Sequence, residues 1–260
     1  MHSIQFLEDK ARICRNSCIE LSVACGAAHL SSSLSMIDIS VVLYFKVAKK
    51  EDVIIVSKAH ASEAMYSILA EKRIFSKEEF KTYGEWNSRL QGHAEKCTPG
   101  VEYSGGAIGQ GLSYACGIAL ARKRKNKKGR IFCIIGDGEC HEGQIWEAAM
   151  FAGHHKLNNL VVIIDNNEYS SSSFPVDIES ILTVRPLSEK WKAFRWETRE
   201  VNGHSIEDLI EKLSIIDNKE PLVIVAKTIK GKGSKVLEKS HAHIIYGNTL
   251  KEVVEDWNET

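Results

Sequence analysis

The chain has 260 residues, enough to bury a sizeable core at the upper end of a single domain. Its hydrophobic share of 43% and charged share of 26% are ordinary for a globular protein. Thirty-four basic side chains balance thirty-four acidic ones, which excludes a global field drawing the chain to nucleic acid or to an anionic membrane.

Helical and apolar patterns then alternate along the chain. Ile4, Leu7, Ala11, Cys14, Cys18 and Leu21 predict an opening helix over 4–24. A second helix is expected over 35–48. VIIVS at 53–57 is a β-branched run and reads as a buried strand. Helical patterning returns at 60–72 and 109–124. IFCII at 131–135 is another strand, followed by a helix at about 143–157 and a strand, LVVIID, at 160–165. ETREV at 197–201, a helix at 205–214 and PLVIVAKT at 221–228 complete the pattern. Strands separated by helices of this length predict an α/β fold, a parallel sheet covered by helices on both faces. Residues 1–260 read as one domain with a short C-terminal tail from about 245. The basic run RKRKNKKGR at 122–130 reads as a solvated helix end running into a turn at Gly129. SSSS at 170–173 is a low-complexity patch.

The cysteines are Cys14, Cys18, Cys25, Cys97, Cys116, Cys133 and Cys140. An odd number without a CxxC pair predicts reduced thiols and a cytoplasmic protein, not a disulfide scaffold or zinc module. No stretch approaches the ~18 apolar residues of a membrane span. The N-terminus is charged and amphipathic, unlike a secretory signal.

The sharpest motif is IIGDGE at 134–139, where a strand ends and Gly136-Asp137-Gly138 turns the chain. Parallel sheets bind ligands at the carboxyl ends of their strands, and glycines there admit a phosphate to the backbone amides. Asp165-Asn166-Asn167 ends the next strand, one strand–helix–strand crossover later. That spacing brings Asp137 and Asn167 to the same sheet edge. A carboxylate, an amide oxygen and a backbone carbonyl from the following turn make a half-shell for Mg²⁺, which diphosphate oxygens and water would complete.

GDG followed by NN resembles the thiamine diphosphate and metal motif, and GDGECHEGQIWEAAMFAGHHKLNNLVVIIDNN narrows the resemblance to transketolases. GAAHLSSSLSMIDI (26–39), VSKAHASEAMYSILA (56–70), QGHAE (91–95), GGAIGQGLSYACGIALA (105–121), VNGH (201–204) and AKTIKGKG (226–233) extend it in the right order. The patterns they resemble include SKGH, GHPE and TGSLGQG.

The resemblance implies the thiamine-diphosphate-binding fold and a set of roles. Asp137, Asn167 and the carbonyl of Tyr169 match metal ligands, for Mg²⁺ with Ca²⁺ as a substitute. Gly138 matches a backbone contact to the diphosphate, and His60 a histidine beside it. Gly106 and Ile108 match positions at the aminopyrimidine and thiazolium. Glu142 matches an acidic interface residue beside the cofactor. His29, His93 and His243 match histidines that handle substrate oxygens, with His241 as an alternative to His243. Imidazole suits proton transfer near pH 7. His141, His154, His155 and His204 read as structural, and Trp146 as helix core. Ala59, Ala94 and Ala28 depart from the family pattern, which has glycine, proline and glycine there, and the DG usual after Asn167 is missing.

In the family a second domain carries a glutamate that activates the cofactor's pyrimidine. The chain is expected to be the N-terminal subunit of a split transketolase. A C-terminal subunit with the pyrimidine-binding domain would complete a heterotetramer acting on sugar phosphates. The alternatives are a subunit of another thiamine-diphosphate enzyme (a 2-oxo-acid decarboxylase or an acyloin or 1-deoxyxylulose-type synthase) and a non-catalytic binding protein.

Overall fold

A computed structural model describes residues 3–169, 176–214 and 219–259; the serine patch at 170–173 lies outside them. The opening helix α1 (Ile4–Cys25) is capped by Ser3, whose hydroxyl accepts the Phe6 N–H, and ends at Gly26 with φ 75°. Leu7, Ala11, Cys14, Cys18 and Leu21 are buried, whereas Ile4 is exposed. The single helix expected over 35–48 is instead three pieces: α2 (Leu30–Ser35), α3 (Ile37–Val42) and a π-helical turn at Leu43–Val47. Serine hydroxyls compete with the backbone for hydrogen bonds, and Ser35 turns its hydroxyl to the Ser32 carbonyl and to Asp165.

Five parallel strands follow: β2 (Val53–Val56), β3 (Ile131–Gly136), β4 (Leu160–Asn166), β5 (Glu197–Asn202) and β6 (Leu222–Lys227). Their order is β2-β3-β4-β6-β5. Residues alternate between the two faces. Phe132, Ile134, Val161 and Ile163 join the core under α1, α3 and α4 (Ser62–Glu71). Cys133, Ile135, Val162 and Ile164 join the core under α5 (Gln110–Arg124) and α6 (Gly143–His154). Burial on both faces is why these strands read as continuous apolar runs. The edge strand β5 is half-exposed and carries Glu197, Arg199 and Glu200. Helix α9 (Ile206–Ser214) lies where its pattern predicts. No helix among the described residues is long and apolar enough to cross a membrane.

The segment read as a tail from about 245 is structured. Strand β7 (Ile245–Tyr246) pairs antiparallel with β1 (Ala27–Ala28), and α11 (Gly247–Asn258) follows. Leu250 and Val253 are buried, with Val254 and Trp257 packed against the same core. These positions repeat at helical spacing, a signal that the tail reading passes over. Two short helices also lie in segments for which no element was expected, α8 (Leu187–Ala193) and α10 (Lys235–Ser240), while a single helical turn, α7 (Ile178–Ile181), precedes them. The basic run behaves as expected: the Arg122 guanidinium donates to the carbonyls of Glu51 and Lys128 past the end of α5.

Candidate active site

The register pairs Gly136 with Asp165, so Asp137 and Asn167 leave neighbouring strands at one edge. Between them opens a cavity of about 370 Å³. Asp137, Gly138, Asn167, Tyr169, His60, Ile108 and Glu142 all line it, together with Ser32, Lys58 and His141. Asp137 is buried and accepts the Gly138 N–H at 2.8 Å and the Glu168 N–H at 2.6 Å. Burial, then the nearby Asp165, pushes its carboxyl up to about 7. No group of three His, Cys, Asp or Glu side chains able to hold a metal occurs among the described residues. The expected shell uses only one carboxylate, with an amide and a main-chain carbonyl, so it needs no such group.

Glu139 fastens the edge. Its carboxylate accepts from the Ser57 hydroxyl and the Gly109 N–H, both at 2.6 Å, and from the Gly136 N–H at 2.9 Å. One buried side chain therefore joins the ends of β2 and β3 to the start of α5. Gly109 has φ 84°, and a β-carbon there would lie 2.8 Å from that of Glu142.

Two lysines that sequence reasoning passes over are buried here. Lys58 pairs with Asp165, whose carboxylate also accepts from the Ser35 and Thr228 hydroxyls. Lys230 is 1% exposed, and burial lowers its ammonium to about 8. Both sit inside quoted motifs, SKAH and TIKGKG; a lysine at a strand end beside aspartates was the available signal. His204 accepts the Ile229 N–H at 2.8 Å, so its other ring nitrogen donates to Asp38 at 2.7 Å, and Arg15 grips the same carboxylate. It anchors the chain just before Lys230.

Next to the cavity four imidazoles cluster. The His29 ring centroid lies 5.8 Å from that of His60, 5.3 Å from His93 and 4.9 Å from His243, and His60 and His243 are 5.2 Å apart. Burial leads in lowering His29 to about 4 and His243 to about 3, and it holds His60 well below the usual imidazole range. These three rings are therefore neutral near pH 7. The Nδ1 of His243 is buried without a hydrogen-bond partner among the described residues. His241 stands elsewhere, stacked on the Tyr169 ring at 3.6 Å. Gly106 is exposed and does not line the cavity. His141 lines the cavity, its Nε2 being 3.0 Å from the Leu182 carbonyl oxygen. Trp146 packs on Trp191 and Phe194.

The family model described as "Transketolase, thiamine diphosphate binding domain" matches residues 10–256. The chain belongs to the transketolase family. Its relatives include one subunit of the apulose-4-phosphate transketolase of Phocaeicola vulgatus, 34% identical over 98% of this chain and 95% of that one. Another is a 6-deoxy-6-sulfo-D-fructose transketolase subunit of Clostridium sp., 33% identical over 89% of this chain and 88% of that one. The crystal structure of transketolase from Campylobacter jejuni superposes with a TM-score of 0.87 at 28% identity over 99% of this chain. The chain spans only 43% of that solved transketolase. Membership places it among thiamine-diphosphate-dependent, transketolase-type transferases.

Two departures from the transketolase pattern lie against each other. Ala59 stands where the pattern has glycine, and Gly105 where it has threonine. A β-carbon at 105 would lie 2.8 Å from that of Ala59 and 2.8 Å from the Tyr103 ring. Gly105→Ala should therefore destabilise the chain by ~1–3 kcal/mol, the usual cost of overpacking. Ala59→Gly in the same molecule should recover more than half of that. Denaturant midpoints of the two single variants and the double variant decide it, and simple additivity would sink the idea.

Proposed function

We propose that this chain is the diphosphate- and Mg²⁺-binding subunit of a two-chain transketolase. It would move a two-carbon ketol unit from a ketose phosphate to an aldose phosphate. The observation that carries this reading is a junction: at His60 the Asp137–Asn167 cavity meets the four-histidine cluster. The residues present fit the cofactor. Asp137 is a buried carboxylate, open space adjoins the Cα of Gly136 and Gly138, and cationic or imidazole groups surround the cavity.

Asp137, Asn167 and the Tyr169 carbonyl would hold the metal, and the Gly138 backbone, His60, Lys58 and Lys230 would receive the diphosphate. Gly106 and Ile108 would meet the aminopyrimidine and thiazolium, and Glu142 would lie at the subunit boundary. Bound thiamine diphosphate supplies a nucleophilic carbon and a store for the electron pair released on C–C cleavage. His29, His93 and His243 would take protons from substrate hydroxyls and return them.

A complementary subunit would carry the pyrimidine-binding half, with two copies of each chain in a heterotetramer. Relatives matched over most of their own length are themselves named as subunits, which supports this. So do exposed Tyr114 on α5 and exposed Met150 and Phe151 on the adjoining α6. The cysteines are all free and five are buried, which suits the reducing cytoplasm. The relatives' names point toward a phosphorylated or sulfonated sugar.

Calorimetry of the reconstituted complex with thiamine diphosphate and Mg²⁺ tests the site. Asp137→Ala removes the single charged metal ligand and should weaken cofactor binding by roughly tenfold or more. Unchanged affinity would remove Asp137 from the metal site. A donor screen tests the reaction: CO₂ release from pyruvate in place of ketol transfer would overturn it.

A further inference from the structure

Glu63, three residues after His60, lies in the first turn of α4 and is completely buried. A carboxylate in such a place needs its lone pairs filled, and here each donor is identifiable. Its Oε1 accepts the His29 N–H at 3.1 Å and the Tyr83 hydroxyl at 2.7 Å, and its Oε2 accepts the Ser33 hydroxyl at 2.6 Å. His29 precedes α2 and has no side-chain cap of its own, while Ser33 lies one turn later. Glu63 thus grips the first turn of α2 at both ends, which fixes the direction in which the His29 ring leaves the backbone.

The same carboxylate reaches toward His93. The Tyr83 hydroxyl that donates to Glu63 lies 3.1 Å from the Ser62 hydroxyl, and Ser62 donates to the Gly92 carbonyl at 3.1 Å. Gly92 immediately precedes His93. From the next turn of α4, the Tyr66 hydroxyl donates to the Gln91 carbonyl at 2.8 Å and accepts the Gln91 N–H at 3.1 Å. Helix α4 therefore holds residues 91 and 92 from one side and, through Glu63, residues 29 and 33 from the other.

We propose that Glu63 is a positioning residue that sets the spacing of His29 and His93, two of the three rings that the proposed function puts at substrate oxygens. The inference rests on that reading for its catalytic consequence, and on the hydrogen bonds above for its geometry. Glu63→Gln keeps the shape but replaces one acceptor by an NH₂ that faces a donor.

The test uses the complex reconstituted with the complementary subunit, thiamine diphosphate and Mg²⁺. In Glu63→Gln kcat should fall by roughly tenfold to a hundredfold, as for a reacting group misplaced by about 1 Å, while cofactor affinity is unchanged. In a His29→Ala background the same substitution should cost much less, because one of the rings it positions is gone. Full additivity would overturn the proposal. A readout independent of turnover is the ring-nitrogen NMR spectrum: His29 and His93 should shift in Glu63→Gln and His204 should not. If Glu63→Gln does not fold, Tyr83→Phe carries the test, since it removes only the hydroxyl between Glu63 and Ser62. It should move the His93 resonances, and unmoved resonances would overturn the proposal. If His29→Ala and His93→Ala both retain full turnover, the substrate role assigned to those rings fails, while the NMR result still decides whether Glu63 positions them.

Discussion

Purified alone, with saturating thiamine diphosphate and Mg²⁺, the chain should transfer no ketol unit from xylulose 5-phosphate to ribose 5-phosphate. In the proposed roles the residues around the cavity serve the metal, the diphosphate and the substrate oxygens, and the glutamate that activates the pyrimidine in the family is assigned to the complementary subunit. Without a second wall, the pyrimidine end of the cofactor would sit in water, where proton transfers within the site compete with solvent. The faces of α5 and α6 bearing Tyr114, Met150 and Phe151 would also be uncovered, and the lone chain should self-associate through them. Adding the complementary subunit should restore turnover with a saturable, near-stoichiometric dependence. Robust turnover by the chain alone would refute the two-chain reading.

In that restored complex, His93→Ala and His29→Ala should each lower kcat by ~10²–10⁴, the usual loss for one general acid–base, with little change in cofactor affinity. Neither ring lines the cavity: His29 reaches it by way of His60, and His93 lies beyond His29. Abolished cofactor binding with residual turnover intact would show that the roles are misassigned. Acid should act on the cluster in a definite direction. His29 and His243 have folded-state values of about 4 and about 3, below the ordinary 6.5. Their neutral forms therefore contribute stability that is full above pH 6.5 and is lost as pH falls, toward about 4 for His29 and about 3 for His243. A His29→Asn variant should show a shallower decline of its denaturation midpoint over that interval.

Most of this architecture was legible because the strands and their motifs are local. The run from IFCII through GDGE announces a buried strand and a turn within nine residues, and LVVIIDNN repeats the pattern. Together they are enough to bring Asp137 and Asn167 to one edge. What escaped depends on contacts between distant segments. The break at Met36 follows from Ser35 bonding to Asp165, 130 residues away. Lys58 looks like any surface lysine until Asp165 is found beside it, and Glu63 looks like an ordinary helix-start acid until Tyr83 and Ser33 converge on it. Helix α11 is a different case: Leu250, Val253, Val254 and Trp257 made its spacing readable. The choice between His243 and His241 needed geometry, since two residues of sequence separate a ring in the histidine cluster from one stacked on Tyr169.

The contact between positions 59 and 105 also bears on how such a sequence can change over time. Ala59 already carries a β-carbon, and one at 105 would crowd it at 2.8 Å, while the Tyr103 ring, equally close, can swing aside as a side chain. A lineage moving from glycine at 59 with threonine at 105 to the present Ala59 and Gly105 has two possible orders of single substitutions. One passes through two β-carbons in conflict, and the other through glycine at both sites, which is looser but free of the clash. The second order is the passable one, so related chains should include some with glycine at both positions and almost none with a side chain at both.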